Sequence, residues 1–127
     1  MKKTFSKEER LCSSSLIDKL FHDGSSFVVY PFRIVYLPIT AKLPVGVQVL
    51  VSVPKRRIKR AVMRNKIKRK IREVYRLQKD DVLFPKIHQH AVNLLLGIQY
   101  IANEDVPFDQ YMLKMGKSLS QVVHEVC

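Results

Sequence analysis

The chain has 127 residues, 46% of them hydrophobic, and carries 23 lysines and arginines against 11 acids, a net charge of +12. That size and apolar fraction fit one globular domain with its own core. No apolar run reaches the roughly 18 to 20 residues of a membrane helix, the N-terminus lacks the apolar stretch of a signal peptide, and Cys12 and Cys127, in no metal-type spacing, read as reduced thiols of a cytoplasmic protein.

Taken in order, "SKEE" at residues 6–9 has the form of a capping box, with Ser6 to cap and Glu9 three residues on. A second start, "SSSLID", sets Ser15 and Asp18 in a weaker version of the same relation. Leu16, Ile17, Leu20 and Phe21 then recur at helical spacing until Gly24, which predicts a short amphipathic helix over 13–22. "SSFVVYPFRIVYL" is β-branched and aromatic and reads as a strand with Pro31 as a kink or edge. After the loop "TAKLPVG", the segment "VGVQVLVSV" alternates, with Val45, Val47, Val49, Val51 and Val53 on one face and Gly46, Gln48, Leu50 and Ser52 on the other.

Residues 55–79 hold 13 of the 23 basic residues and a single acid, Glu73, so the remainder of the chain balances at 10 of each. At 100° per residue, Ile67, Ile71, Val74 and Tyr75 form an apolar stripe. Arg64, Lys68, Arg72, Asn65, Arg76 and Arg69 sweep from one edge of it round the far side, and Lys66, Lys70 and Glu73 take the other edge. The pattern predicts a helix that docks on a sheet and shows a basic band outward. "HAVNLLLGIQYIA" reads as a buried strand, and "VPFDQYMLKMGKSLSQVVHEV" as a closing helix with Phe108, Tyr111, Met112, Met115, Leu119 and Val122 inward. The order α-β-β-α-β-α predicts an α+β domain, helices on one small sheet.

A metal-dependent hydrolase needs carboxylates converging on one site, whereas the acids here are scattered pairs: Glu8 and Glu9, Asp80 and Asp81, Glu104 and Asp105. "HQH" at 88–90 has no third ligand at a metal spacing, and no glycine-rich phosphate loop, serine elbow or cysteine–histidine signature is present. No catalytic residue and no protein metal site are expected. Charge this concentrated repels itself unless a polyanion neutralises it, which favours nucleic acid over a merely solvated basic helix. Lysine and arginine meet phosphates. Asn65 suits either a base edge or sugar hydroxyl, or a local hydrogen bond near the helix start. Of the aromatics, Phe21, Phe27, Tyr30, Phe32 and Tyr36 are either core or a stacking platform for single-stranded nucleic acid.

"AVMRNKIKRKIREVYR", residues 61–76, resembles the protein subunit of bacterial ribonuclease P: Arg64, Asn65, Lys68, Arg69 and Arg72 match its R-N-x-x-K-R-x-x-R core. "VGVQVLVSVPKR" and "LIDKLFHDGSSFVVYPFRIVYL" are similar to the family's lead-in strand and its first helix and strand, so the likeness spans residues 11–79. It implies a single domain over 1–127, a two-layer α/β sandwich of the ribosomal protein S5 domain 2-like kind with a left-handed β-α-β crossover. It also implies a catalytic RNA subunit that holds Mg2+ and binds Lys55, Arg56, Arg60, Arg64, Asn65, Lys68, Arg69, Arg72 and Arg76. By the same resemblance, precursor tRNA would be the second partner, its 5′ leader taken in a cleft by Phe21, Phe32 and Tyr36, with no membrane and no protein partner expected. The sequence departs from the family at Ile17, where an aromatic is expected, and the strand aromatic expected near 35 falls on Val35 or Tyr36 depending on register. The alternative is a ribosomal or general RNA-binding protein with no part in cleavage; a basic DNA-binding zipper would need leucine heptads that are absent.

Overall fold

The computed structural model describes residues 6–127; residues 1–5, where the segment judged for a signal peptide begins, lie outside the described residues. Helix α1 (Ser14–Asp23) opens at Ser13, whose Oγ accepts from the Leu16 N–H, so the cap falls two residues before Ser15. Strands β1 (Ser25–Val29) and β2 (Phe32–Ile39) pair antiparallel around a cis Tyr30–Pro31 bond. The segment expected as one strand is therefore a hairpin: proline has no N–H for a ladder, and the chain turns back there. Strand β3 (Val47–Ser52), helix α2 (Ala61–Gln78), helix α3 (Phe84–Gln89), strand β4 (Asn93–Tyr100) and helix α4 (Phe108–Val126) follow. The order is α-β-β-β-α-α-β-α, with the sheet running β1-β2-β4-β3, antiparallel except for β3 beside β4.

Period-two alternation splits the sheet into two faces. Val47, Val49 and Val51 of β3, Leu94, Leu96, Ile98 and Tyr100 of β4, and Phe32 and Ile34 of β2 are buried together beneath α2 and α4. The stripe expected on α2, Ile67, Ile71, Val74 and Tyr75, is fully buried there, as are Tyr111, Met115 and Val122 of α4 with Leu119 at 1%. Phe108, expected inward, is instead 43% exposed at the first position of α4, where no further turn of helix extends over it. On the second face α1 packs through Leu20, which shares a buried cluster with Val35, Leu95, Leu11 and Leu43. Gly97 of β4 lets the helix sit close: a Cβ there would meet Leu20 Cδ2 at 3.3 Å and Phe21 Cζ at 3.5 Å.

Two contacts tie distant segments to this frame. Glu9 closes the 3-10 turn Lys7–Glu9 by accepting from the Ser6 N–H at 2.8 Å and hydroxyl at 2.9 Å, and its other oxygen pairs with Lys79 Nζ in the interior, both residues at most 3% exposed. The Leu11 N–H then donates to Val49 O at 2.9 Å, laying residues 10–11 along the outer edge of β3. At the far end of α2, Gln78 Nε2 donates to Met112 O of α4 at 2.9 Å, and a π-helical turn, Lys79–Leu83, leads into α3. Helix α3 occupies 84–89, for which no helix was expected, and β4 starts at Asn93 because His90 ends that helix and Ala91 turns with φ 53°.

Candidate nucleic-acid interface

Helix α2 presents its charge as the 100° wheel requires. With Ile67, Ile71, Val74 and Tyr75 inward, Asn65, Arg69 and Arg72 are exposed and Lys68 half-buried. None of these four side chains, nor Lys55, Arg56 or Arg60 on the preceding segment, makes a hydrogen bond or ion pair with another described residue. Seven of the nine predicted residues thus have their polar groups uncommitted among the described residues. Asn65 takes no local hydrogen bond, which leaves its amide for an external partner.

The other two carry internal duties. Arg64 Nη1 donates to the carbonyls of Ile58 at 2.9 Å and Lys59 at 2.7 Å, so it braces the segment that enters the helix. Arg76 donates from Nε and Nη2 to Glu73, three residues back, at 3.1 and 2.6 Å, and this hydrogen bond holds the Glu73 carboxyl below its ordinary range. On the edge expected to be less basic outward, Lys70 is drawn away altogether: its Nζ lies 2.6 Å from Asp105 Oδ2. Burial alone would raise the Asp105 carboxyl, but the hydrogen bonds from Lys70 and from Tyr111 OH, 2.6 Å from Oδ1, outweigh it and lower the pKa. Burial and the bond to Asp105 push the Tyr111 phenol far up.

The three aromatics expected in one cleft do not meet. Phe21, 40% exposed, lies over Gly97 on the α1 face. Phe32 is fully buried on the opposite face, its ring 6.0 Å from Tyr111 and 6.4 Å from Tyr100, and Tyr36 lies half-buried on that face against Phe27 at 5.9 Å. Residues 32 and 36 share parity, so one strand register sends both inward; Val35, paired with Gly97, takes the α1 face and is buried under Leu20. What does stand on the open part of that face is Val28, Arg33, Gln99 and Ser52, none of them singled out by the sequence. The signal for Arg33 was its odd place in the alternation of β2, visible only once the hairpin register is known.

Glu9 is paired in the interior, Asp105 is bound to Lys70 and Tyr111, and among the described residues no group of three or more His, Cys, Asp or Glu side chains is placed to hold a metal ion. His88 ends up in α3, hydrogen-bonded to Val45 O at 3.0 Å, not on a strand. Among the described residues no helix is long and apolar enough to cross a membrane.

Fold and surface define a small α+β domain with one strongly basic, outward-facing helix. The family model described as Ribonuclease P matches residues 5–119, and the chain belongs to that family. It is 36% identical over 121 residues to the "Ribonuclease P protein component" of two Porphyromonas gingivalis strains, covering 95% of this chain and 88% of theirs. Among solved structures, a Staphylococcus aureus RNase P protein mutant with defective mRNA degradation activity superposes with a TM-score of 0.71 at 18% identity, covering 93% of this chain and 90% of that one. The Thermotoga maritima RNase P protein in complex with 1-(4-fluorophenyl)-2-thiourea superposes at 0.69 with 19% identity, covering 88% and 98%.

Proposed function

We propose that this chain is the RNA-binding subunit of a cytoplasmic ribonuclease P ribonucleoprotein that removes the 5′ leader of precursor tRNA. The observation that carries the proposal is the uncommitted basic arc of α2, with Asn65 in its midst, on a domain otherwise balanced in charge. Its lysines and arginines neutralise phosphates of the catalytic RNA and release counterions. Arg64 keeps the segment 55–60 folded against the helix, so Lys55, Arg56 and Arg60 meet the same RNA as a fixed set. The leader, single-stranded, lies on the α1 face beside Phe21, where an exposed ring and an open sheet offer stacking. Phe32 and Tyr36 act from the core, by holding β2 in place.

The protein's own residues supply binding and charge, and the chemistry belongs to the RNA subunit with its magnesium ions. Purified protein with magnesium should leave precursor tRNA intact, and adding the ribonuclease P RNA of the same genome should give cleavage at the mature 5′ end. The protein's benefit should be greatest at low magnesium, where it does most to screen one polyanion from another. Magnesium-dependent cleavage by RNA-free protein, lost on Asp81→Ala or Glu104→Ala, would overturn the proposal.

A further inference from the structure

Four residues, one from each strand, form a row across the α1 face. The pairs Val28↔Arg33, Arg33↔Gln99 and Ser52↔Gln99 set them side by side, and the alternation that buries Phe32, Ile34, Ile98 and Val51 on the far face turns all four to this one. None is buried: Val28 is 58% exposed and the other three are half-buried. In the middle of the row Arg33 is fixed from both sides, Nη1 donating to Gln99 Oε1 at 2.5 Å and Nη2 to Ser26 Oγ at 3.3 Å. Both partners are neutral, and no acid among the described residues pairs with it. The guanidinium therefore has its edge anchored on its neighbours, its charge unneutralised and its plane set. Phe21 lies over Gly97, two residues along β4 from Gln99, about 7 Å away along the strand.

We propose that Arg33 is a stacking residue for single-stranded RNA: its guanidinium plane, oriented by Gln99 and Ser26, takes the nucleobase next to the one on Phe21. This rests on the reading that the leader crosses the α1 face. Arginine planes stack on bases as aromatic rings do, and Val35, buried under Leu20, cannot serve. Because the Nη groups already serve Gln99 and Ser26, the plane is offered more than the edge, and the contact tolerates any base. Gln99 is a positioning residue. The row ends at Ser52, three residues before Lys55, so a strand stacked on it runs on towards the basic segment before α2.

The test uses protein assembled with its RNA subunit and compares affinity for precursor tRNA with affinity for leaderless tRNA. Arg33→Ala and Arg33→Lys should each weaken precursor binding by about tenfold, whatever the leader sequence, and leave leaderless binding unchanged. Gln99→Leu, which keeps the size but removes the acceptor, should fall between them and the unsubstituted protein. Wild-type affinity in Arg33→Lys would mean that charge suffices, and the stacking assignment would be wrong. If Phe21→Ala weakens precursor binding while Arg33→Ala does not, the leader crosses this face without Arg33. If neither substitution matters, the leader reading falls and this inference with it. Melting curves accompany each variant, and should Arg33→Ala fail to fold, Arg33→Lys and Gln99→Leu decide the matter.

Discussion

Two neighbouring cations on α2 show how far a single residue's role depends on what faces it. Arg69 and Lys70 differ by one step of 100°, and that step leaves the first exposed without a partner and delivers the second to Asp105. Arg69→Ala should weaken binding of the RNA subunit and flatten its salt dependence by about one phosphate contact. Lys70→Ala should leave that slope alone and cost about 1 to 3 kcal/mol of stability by stripping a part-buried carboxylate of its donor; a salt slope lowered as much as in Arg69→Ala would show that the outward arc is misassigned. Asp105 adds a pH dependence. Its folded pKa lies below the ordinary value of 3.8, so its contribution is present above that value and disappears as pH falls through the folded one. Asp105→Asn should therefore flatten the acid limb of a stability-against-pH curve below about pH 4, and an unchanged limb would remove Asp105 from acid unfolding. The helical wheel alone sorts Lys70 from Arg69. Its partner lies 35 residues away in an irregular segment, where no periodicity marks it.

For the elements, legibility followed period and length. Helix α2 was readable because its four buried positions recur on one stripe along 18 residues, and β3 because five valines alternate. The hairpin at Pro31 was not, since the residues on either side are equally β-branched and aromatic and the turn has no glycine or asparagine pair to announce it. Phe32 and Tyr36, placed in the cleft by the resemblance, fall on the opposite face because the register of β2 sends both inward. Helix α3, six residues long and opening with Phe84–Pro85, is too short for a helical period to emerge. On the α1 side the close approach over Gly97 makes a prediction of its own. Gly97→Val would drive methyl groups into Leu20 and Phe21, where even a single Cβ stands at 3.3 and 3.5 Å. Affinity for precursor tRNA should drop while affinity for the RNA subunit holds, since α2 lies across the sheet; loss of both together would mean that the whole domain is disturbed.

The molecule as a whole is a balanced domain with one charged flank, drawn from the 13 basic residues and one acid within residues 55–79 less Lys79, paired in the interior with Glu9, and Lys70, held by Asp105. Self-repulsion on that flank lowers stability in the absence of a counter-charge, and an anion that binds only the folded state raises it by mass action. Sulfate at low millimolar concentration should therefore raise the melting temperature in a saturable way, beyond chloride at matched ionic strength. Equal shifts would indicate screening alone, and a rise without saturation would indicate sulfate's general exclusion from protein surface. This asymmetry was the most legible property of all, because counting charges needs no register.

The short segment of residues 10–11 beside β3 has a consequence for handling the protein. In the order β1-β2-β4-β3, β3 ends the sheet, and a bare end strand invites another chain to pair with it. Leu11 and the bridge at Arg10 occupy that side, and Glu9 pins them down through Lys79, 70 residues away. Replacing Glu9 with alanine removes the carboxylate of a buried ion pair at a cost of about 3 to 5 kcal/mol, and the guard over the strand loosens with it. Such a variant, or one lacking residues 1–11, should elute from a sizing column as soluble multimers at concentrations where the intact chain does not, and a tag fused at the N-terminus is safer behind a flexible spacer than joined directly.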